Sequence, residues 1–164
     1  MGRSAHDVEN VVPRCYQRSR CSVKNARSIT GATLPKIIHT MIRVLDLERS
    51  ITFYAKGFGF AETHRLAYPD FTLVYLKNPE SAFEIELTHN HDRTTPYTHG
   101  DGYGHYAFVT DDLEESHRDL SAIGAKPLPI KEFKKGDDLL ARFFFVQDPD
   151  GYKIEVLGRG GHYR

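Results

Sequence analysis

The sequence predicts an α+β fold of two tandem βαβββ units that form curved sheets. Three observations carry that expectation. First, the chain repeats itself, and self-similarity is the signature of a duplicated unit. From His39 it reads HTMIRVLDLERS and from His105 HYAFVTDDLEES, with Asp, Leu, Glu and Ser at offsets 7, 8, 9 and 11 from the His in both. Second, Phe83-Glu84-Ile85-Glu86-Leu87 is matched by Tyr152-Lys153-Ile154-Glu155-Val156 as aromatic-x-Ile-Glu-apolar. The two His are 66 residues apart and the two Glu 69. Third, each copy opens on a short apolar stretch, passes into a helical period and returns to strand-like segments.

Taken in order, residues 1–34 lack periodicity and read as a disordered N-terminal extension. Residues 35–164 read as one domain holding the repeats, about 36–92 and 102–158. Residues 37–44 and 104–110 are the opening strands. Asp46 and Asp112 follow as helix N-caps, their carboxylates accepting amide protons left unpaired in the first turn. After Asp46, Leu47, Ile51, Tyr54, Ala55 and Phe58 share one helical face. Gly57 and Gly124 are read as the points where the helices stop. Three strands complete each unit, at about 59–66, 70–77 and 82–89, then 125–132, 141–147 and 152–157. Asn78-Pro79-Glu80-Ser81 and Asp148-Pro149-Asp150-Gly151 supply the turns before the last strands.

Composition narrows the function classes. Basic and acidic residues balance at 22 each, but residues 1–36 hold seven Lys/Arg against two Asp/Glu, which leaves the rest acidic by five. An acidic domain argues against nucleic acid as partner, and no apolar run of 18 residues argues for a membrane span. The expected setting is the cytoplasm, with a weak transit-peptide character in the basic tail as the alternative. Both cysteines, Cys15 and Cys21, lie in the tail, so the domain has neither disulfide nor thiolate metal site. Its candidate ligands are histidines and carboxylates.

Strand side chains alternate between faces. On the opening strand His39, Met41 and Arg43 share one face, while Ile38, Thr40, Ile42 and Val44 share the helix side. On the fourth strand Glu84, Glu86, Thr88 and Asn90 oppose Phe83, Ile85 and Leu87. His105 and Glu155 occupy the same phases in the second unit. Each repeat thus puts one His and one Glu on the face away from its helix. Carboxylates crowded into a sheet concavity are costly unless paired or bound to a cation, and the recurrence favours metal ligation by His39, Glu86, His105 and Glu155. The remaining His64, His89, His91, His99, His117 and His162 have no repeat partner and read as surface or rim residues.

IIHTMIRVLDLERSITFYAKGFGF, FEIELTHN, GYGHYAFV and DPDGYKIEVL, in this order over about 36–158, resemble glyoxalase I (lactoylglutathione lyase) of the vicinal-oxygen-chelate superfamily. The His-Glu-His-Glu order resembles glyoxalase I rather than the related extradiol dioxygenases, which lack a ligand at the Glu86 position. The resemblance implies a glyoxalase/bleomycin-resistance-like fold. It also implies a homodimer with sites between subunits, and one divalent metal per site on His39, Glu86, His105 and Glu155. Nickel or cobalt is favoured for so compact a chain, with zinc possible. Arg43 and Asn90 match positions that bind the far end of glutathione, the co-substrate. The implied reaction turns the hemithioacetal of methylglyoxal and glutathione into S-lactoylglutathione. A carboxylate, Glu155 first and Glu86 second, moves a proton through a metal-bound ene-diolate. A related epimerase or isomerase and a non-catalytic conjugate-binding protein are the alternatives. After Asn90 the family carries an aromatic and Gly where this chain has His91 and Asp92, which leaves the thiol partner open.

Overall fold

The computed structural model describes residues 35–164; the expectations for the basic tail lie outside the described residues. Ten elements follow one another. The first half comprises β1 (His39–Arg43), α1 (Leu47–Phe58), β2 (Ala61–Ala67), β3 (Phe71–Lys77) and β4 (Glu84–Asn90). The second comprises β5 (Tyr106–Thr110), α2 (Leu113–Ala122), β6 (Lys131–Lys135), β7 (Asp138–Gln147) and β8 (Lys153–Gly158). Each half is a four-stranded mixed sheet, ordered β1-β4-β3-β2 and β5-β8-β7-β6. The opening strand lies parallel to the last and the other pairs are antiparallel. The expected two-unit βαβββ architecture is therefore present.

The caps form as expected. Asp46 Oδ1 accepts Arg49 N–H at 3.0 Å and Asp112 Oδ1 accepts Glu115 N–H at 2.7 Å. The glycine reading needs one correction. Gly59, at φ +65°, ends α1, whereas Gly57 lies inside the helix. A Cβ on Gly57 would stand 2.7 Å from Leu120 Cδ2, so Gly57 is kept for close approach of α1 to α2. Gly124, at φ +84°, does follow α2. The helix face is also displaced: Ser50, Phe53 and Tyr54 are buried, while Ala55 is exposed. In the second half β6 begins at Lys131 and not near 125, because 125–130 runs as irregular chain after α2.

Helix-side residues of both sheets and both helices form one core. Ile42, Val44, Val74, Leu76, Ile85 and Leu87 of the first half join Phe144, Val146, Ile154 and Val156 of the second. Burial of each such side chain is worth about 1.5–3 kcal/mol, so this shared core holds the halves together. The opposite faces of the two sheets stay open. Among the described residues, no helix is long and apolar enough to cross a membrane.

Candidate metal centre

Ladder register delivers each His beside its Glu. In the first sheet His39 pairs with Glu84 and Met41 with Glu86. In the second, Ala107 pairs with Glu155 and His105 immediately precedes β5. In both, His and Glu therefore lie on neighbouring parallel strands, two positions out of register and on one face. His39 Nε2 stands 3.4 Å from Glu86 Oε2, and His105 Nε2 stands 3.2 Å from Glu155 Oε2. Both separations lie at or just beyond the long end of the usual N···O hydrogen-bond range. They are also spacings that two donors of one ion can take: donors about 2.1 Å from one ion stand about 3.0 Å apart at a right angle and about 3.4 Å apart at a tetrahedral angle. Neutral imidazole and carboxylate also fit a borderline divalent ion in kind.

The chain does not unite the two pairs. Among the described residues, no three of His, Cys, Asp and Glu converge on one point. Each half of the chain presents two donors on its open face. A cavity of about 1100 Å³ lies elsewhere, between α1, the end of α2 and the turn before β8, and none of the four residues lines it.

Aromatic rings back both imidazoles. Tyr75 meets His39 edge-on at 5.7 Å between ring centres, and Phe145 meets His105 in the same way at 5.4 Å. Tyr75 is the cross-strand partner of Glu86, and Phe145 that of Glu155. Hydrogen bonding to Glu86, with a smaller contribution from burial, pushes the Tyr75 phenol above its ordinary value. Thr88 Oγ1 donates to Glu86 Oε1 at 3.2 Å. The role of Tyr75 was not read from the sequence, although counting back through the Asn78–Ser81 turn from Glu86 reaches it.

Arg43 and Asn90 come to the same end of the first sheet. Arg43 pairs with Thr88 on the parallel strand, and Asn90 is two residues further on. The exposed Arg43 donates its backbone N–H to Tyr152 Oη at 3.1 Å, and Asn90 Nδ2 donates to Tyr97 Oη at 3.1 Å. Several other histidines make structural contacts. His89 Nδ1 and Val44 O are 3.3 Å apart, His117 Nε2 and Leu128 O 3.1 Å, and His91 Nδ1 and Pro69 O 2.9 Å. His99 stacks on Tyr152 at 4.1 Å.

Residues 36–156 match the family model described as Glyoxalase/Bleomycin resistance protein/Dioxygenase superfamily. The chain belongs to this superfamily. Within it, the chain is 40% identical over 127 residues to a lactoylglutathione lyase of Haemophilus influenzae, covering 74% of this chain and 91% of that protein. A relative of solved structure, the Leishmania major glyoxalase I described as trypanothione-dependent, is 37% identical. Its TM-score is 0.62, covering 76% of this chain and 87% of that one. Glyoxalase I from Zea mays is 30% identical with a TM-score of 0.68; there the match covers 76% of this chain but 45% of the longer maize chain.

Proposed function

We infer that the protein is a lactoylglutathione lyase whose metal site is shared between two subunits, each site taking His39 and Glu86 from one chain and His105 and Glu155 from its partner. The observation that carries this reading is the pair of matching His–Glu half-sites, 3.4 and 3.2 Å across, on separate open faces. Two donors are too few to enclose an ion, and two-fold pairing of open faces completes two equivalent sets of four. Apolar side chains exposed on those faces favour such pairing: Met41 is 39% exposed beside His39, and Phe133 is 55% exposed.

A divalent ion held by these four residues supplies Lewis-acid stabilisation of negative charge developing on the vicinal oxygens of the substrate. The chain's own part is proton transfer. One carboxylate takes the proton from C1 of the hemithioacetal, whose electron pair passes toward the neighbouring carbonyl. The same carboxylate returns the proton at C2 while the C1 hydroxyl proton passes to the C2 oxygen, which leaves a thioester carbonyl at C1 and a hydroxyl at C2. Tyr75 and Phe145 pack edge-on against the two imidazoles and fix their orientation. Arg43 and Asn90, at one end of the sheet, are placed to bind the carboxylate and amide groups of a glutathione-like thiol. A cytoplasmic location belongs to this reading, since a cysteine-free fold needs no oxidising compartment.

The test is formation of the thioester product from methylglyoxal, followed by its ultraviolet absorbance, with and without glutathione and with nickel, cobalt and zinc in parallel. Turnover that requires glutathione and is highest with nickel or cobalt is the expected result. Metal uptake with no thioester would point to the epimerase or isomerase class, and tight conjugate binding without turnover to a binding protein.

A further inference from the structure

The cavity of about 1100 Å³ between α1, the end of α2 and the turn before β8 is separate from both half-sites. It stands at the large end of the range for small-molecule pockets. Part of its wall is apolar: Phe53 and Val146 reach it from the core, with Ile123 beside them. Leu128 N–H donates to Phe145 O at 2.7 Å, which ties the irregular chain after α2 along β7 and places Leu128, 54% exposed, in the same wall. The acids of the wall are committed to the fold. Asp46 caps α1, Glu48 pairs with Arg65 at 3.2 Å, and buried Asp148 accepts from Tyr54, Asp150 and Tyr152. Lys56, Lys126 and Lys153 also line the cavity, and all three are exposed. Among the described residues, no carboxylate lies within ion-pair distance of their ammonium groups. The Lys153 ammonium rests over the Phe145 ring, 5.7 Å from its centre. Duplication did not supply these cations: the repeat-equivalent positions of Arg49, Lys56 and Lys153 hold Glu115, Ala122 and Glu84.

We propose that this cavity binds an amphiphilic organic anion, with an apolar chain against Leu128 and Ile123 and a carboxylate or phosphate head among Lys56, Lys126 and Lys153. Two physical reasons select that chemistry. An apolar chain laid against Leu128 and Ile123 removes hydrocarbon of both partners from water. Cations at the mouth of a low-dielectric cleft focus their field into it and raise the local concentration of anions. Concavity favours a single molecule over a flat lipid surface. The chain's own N-terminal segment has the wrong charge for the place, since residues 1–36 hold seven Lys/Arg against two Asp/Glu. The site draws on none of the four residues of the metal half-sites, so it stands whether or not the glyoxalase reading holds.

The test is calorimetric titration of the full-length protein with decanoate and with decyl phosphate, below the concentrations at which either forms micelles. One molecule of at least one of them is expected to bind per chain, and the tighter of the two identifies the head group. Decyltrimethylammonium, with the same chain and the opposite charge, should bind about tenfold more weakly or not at all. The double variant Lys56→Glu with Lys126→Glu is expected to weaken the anion about tenfold or more, since two exposed charge contacts are lost and reversed. Leu128→Asp should weaken it on a similar scale. Lys131→Glu, an exposed lysine outside the cavity, should leave affinity within about twofold of wild type, and so should His39→Ala. Circular dichroism of each variant confirms that it is folded. No binding of either anion would overturn the proposal, as would equal binding of the cationic amphiphile. Equal weakening by Lys131→Glu would mean diffuse charge attraction, and loss of binding in His39→Ala would put the anion on the open sheet face; either overturns the site. Binding to vesicles of anionic lipid with no uptake of the monomeric anions would make the lysines a membrane-facing patch and overturn it too.

Discussion

The Tyr54 hydroxyl donates to Asp148 Oδ2 at 2.8 Å, joining α1 of the first repeat to the turn before β8 of the second. Tyr106 adds its hydroxyl to the same cluster. Asp148 is buried, and its other oxygen accepts the backbone N–H groups of Asp150 and Tyr152 at 2.9 and 2.8 Å. Two residues on, Asp150 Oδ1 accepts Leu45 N–H at 2.9 Å and its Oδ2 accepts the buried Ser50 hydroxyl at 3.2 Å. The halves are thus latched through their helix sides, which keeps both open faces turned away from the shared core.

Removing the latch at Asp150 is expected to destabilise the fold. Asp150→Ala strands the Leu45 amide and the Ser50 hydroxyl, and an unmet buried polar group costs about 1–3 kcal/mol. Urea unfolding should show a lower midpoint with unchanged slope. A variant as stable as wild type would mean that water replaces the carboxylate at no cost.

The same cluster predicts weakness in alkali. Burial foremost, then nearby charge including Asp148, raises Tyr54 and Tyr106 well above their ordinary value of 10. The unfolded chain therefore loses these protons first, and stability falls as pH rises above 10. Each phenol contributes a slope of about 1.4 kcal/mol per pH unit there. Tyr54→Phe or Tyr106→Phe should flatten that alkaline limb in thermal or urea unfolding measured from pH 9 upward, even where the variant is less stable at neutrality.

Subunit sharing is tested by mixing two inactive proteins. His39→Ala and His105→Ala are each expected to lower metal occupancy or activity by about tenfold or more. In a mixed dimer one site collects both defects and the other none, so about half of wild-type activity per mixed dimer should return. No recovery after verified subunit exchange would place each site within one chain.

Gly57 offers a test of helix packing. Alanine is favoured over glycine in a helix by about 1 kcal/mol, yet the new methyl would meet Leu120, which has no exposed surface. Overpacking of this kind costs about 1–3 kcal/mol, and Gly57→Ala is expected to lower the melting temperature despite its better helix propensity. A raised melting temperature would show that Leu120 moves aside.

Much of this protein is legible in its sequence because the chain carries its plan twice. Recurrence picks out His39, Glu86, His105 and Glu155 from nine histidines and 22 carboxylates, and strand alternation places each on the face away from its helix. The caps at Asp46 and Asp112 are equally readable, since an N-cap depends on residues three apart in the chain. What needed the tertiary structure depends on contacts between distant segments. Whether Gly57 ends a helix or admits a neighbour turns on Leu120, 63 residues away. The start of β6 follows from its pairing with β7, which competes with the local signals near 125. Glu86 and Glu155 face different cross-strand partners, Tyr75 and Phe145, neighbours by ladder register and not by sequence. Local periodicity states which way a side chain points; only packing decides what it meets, because the energy of a contact belongs to both partners.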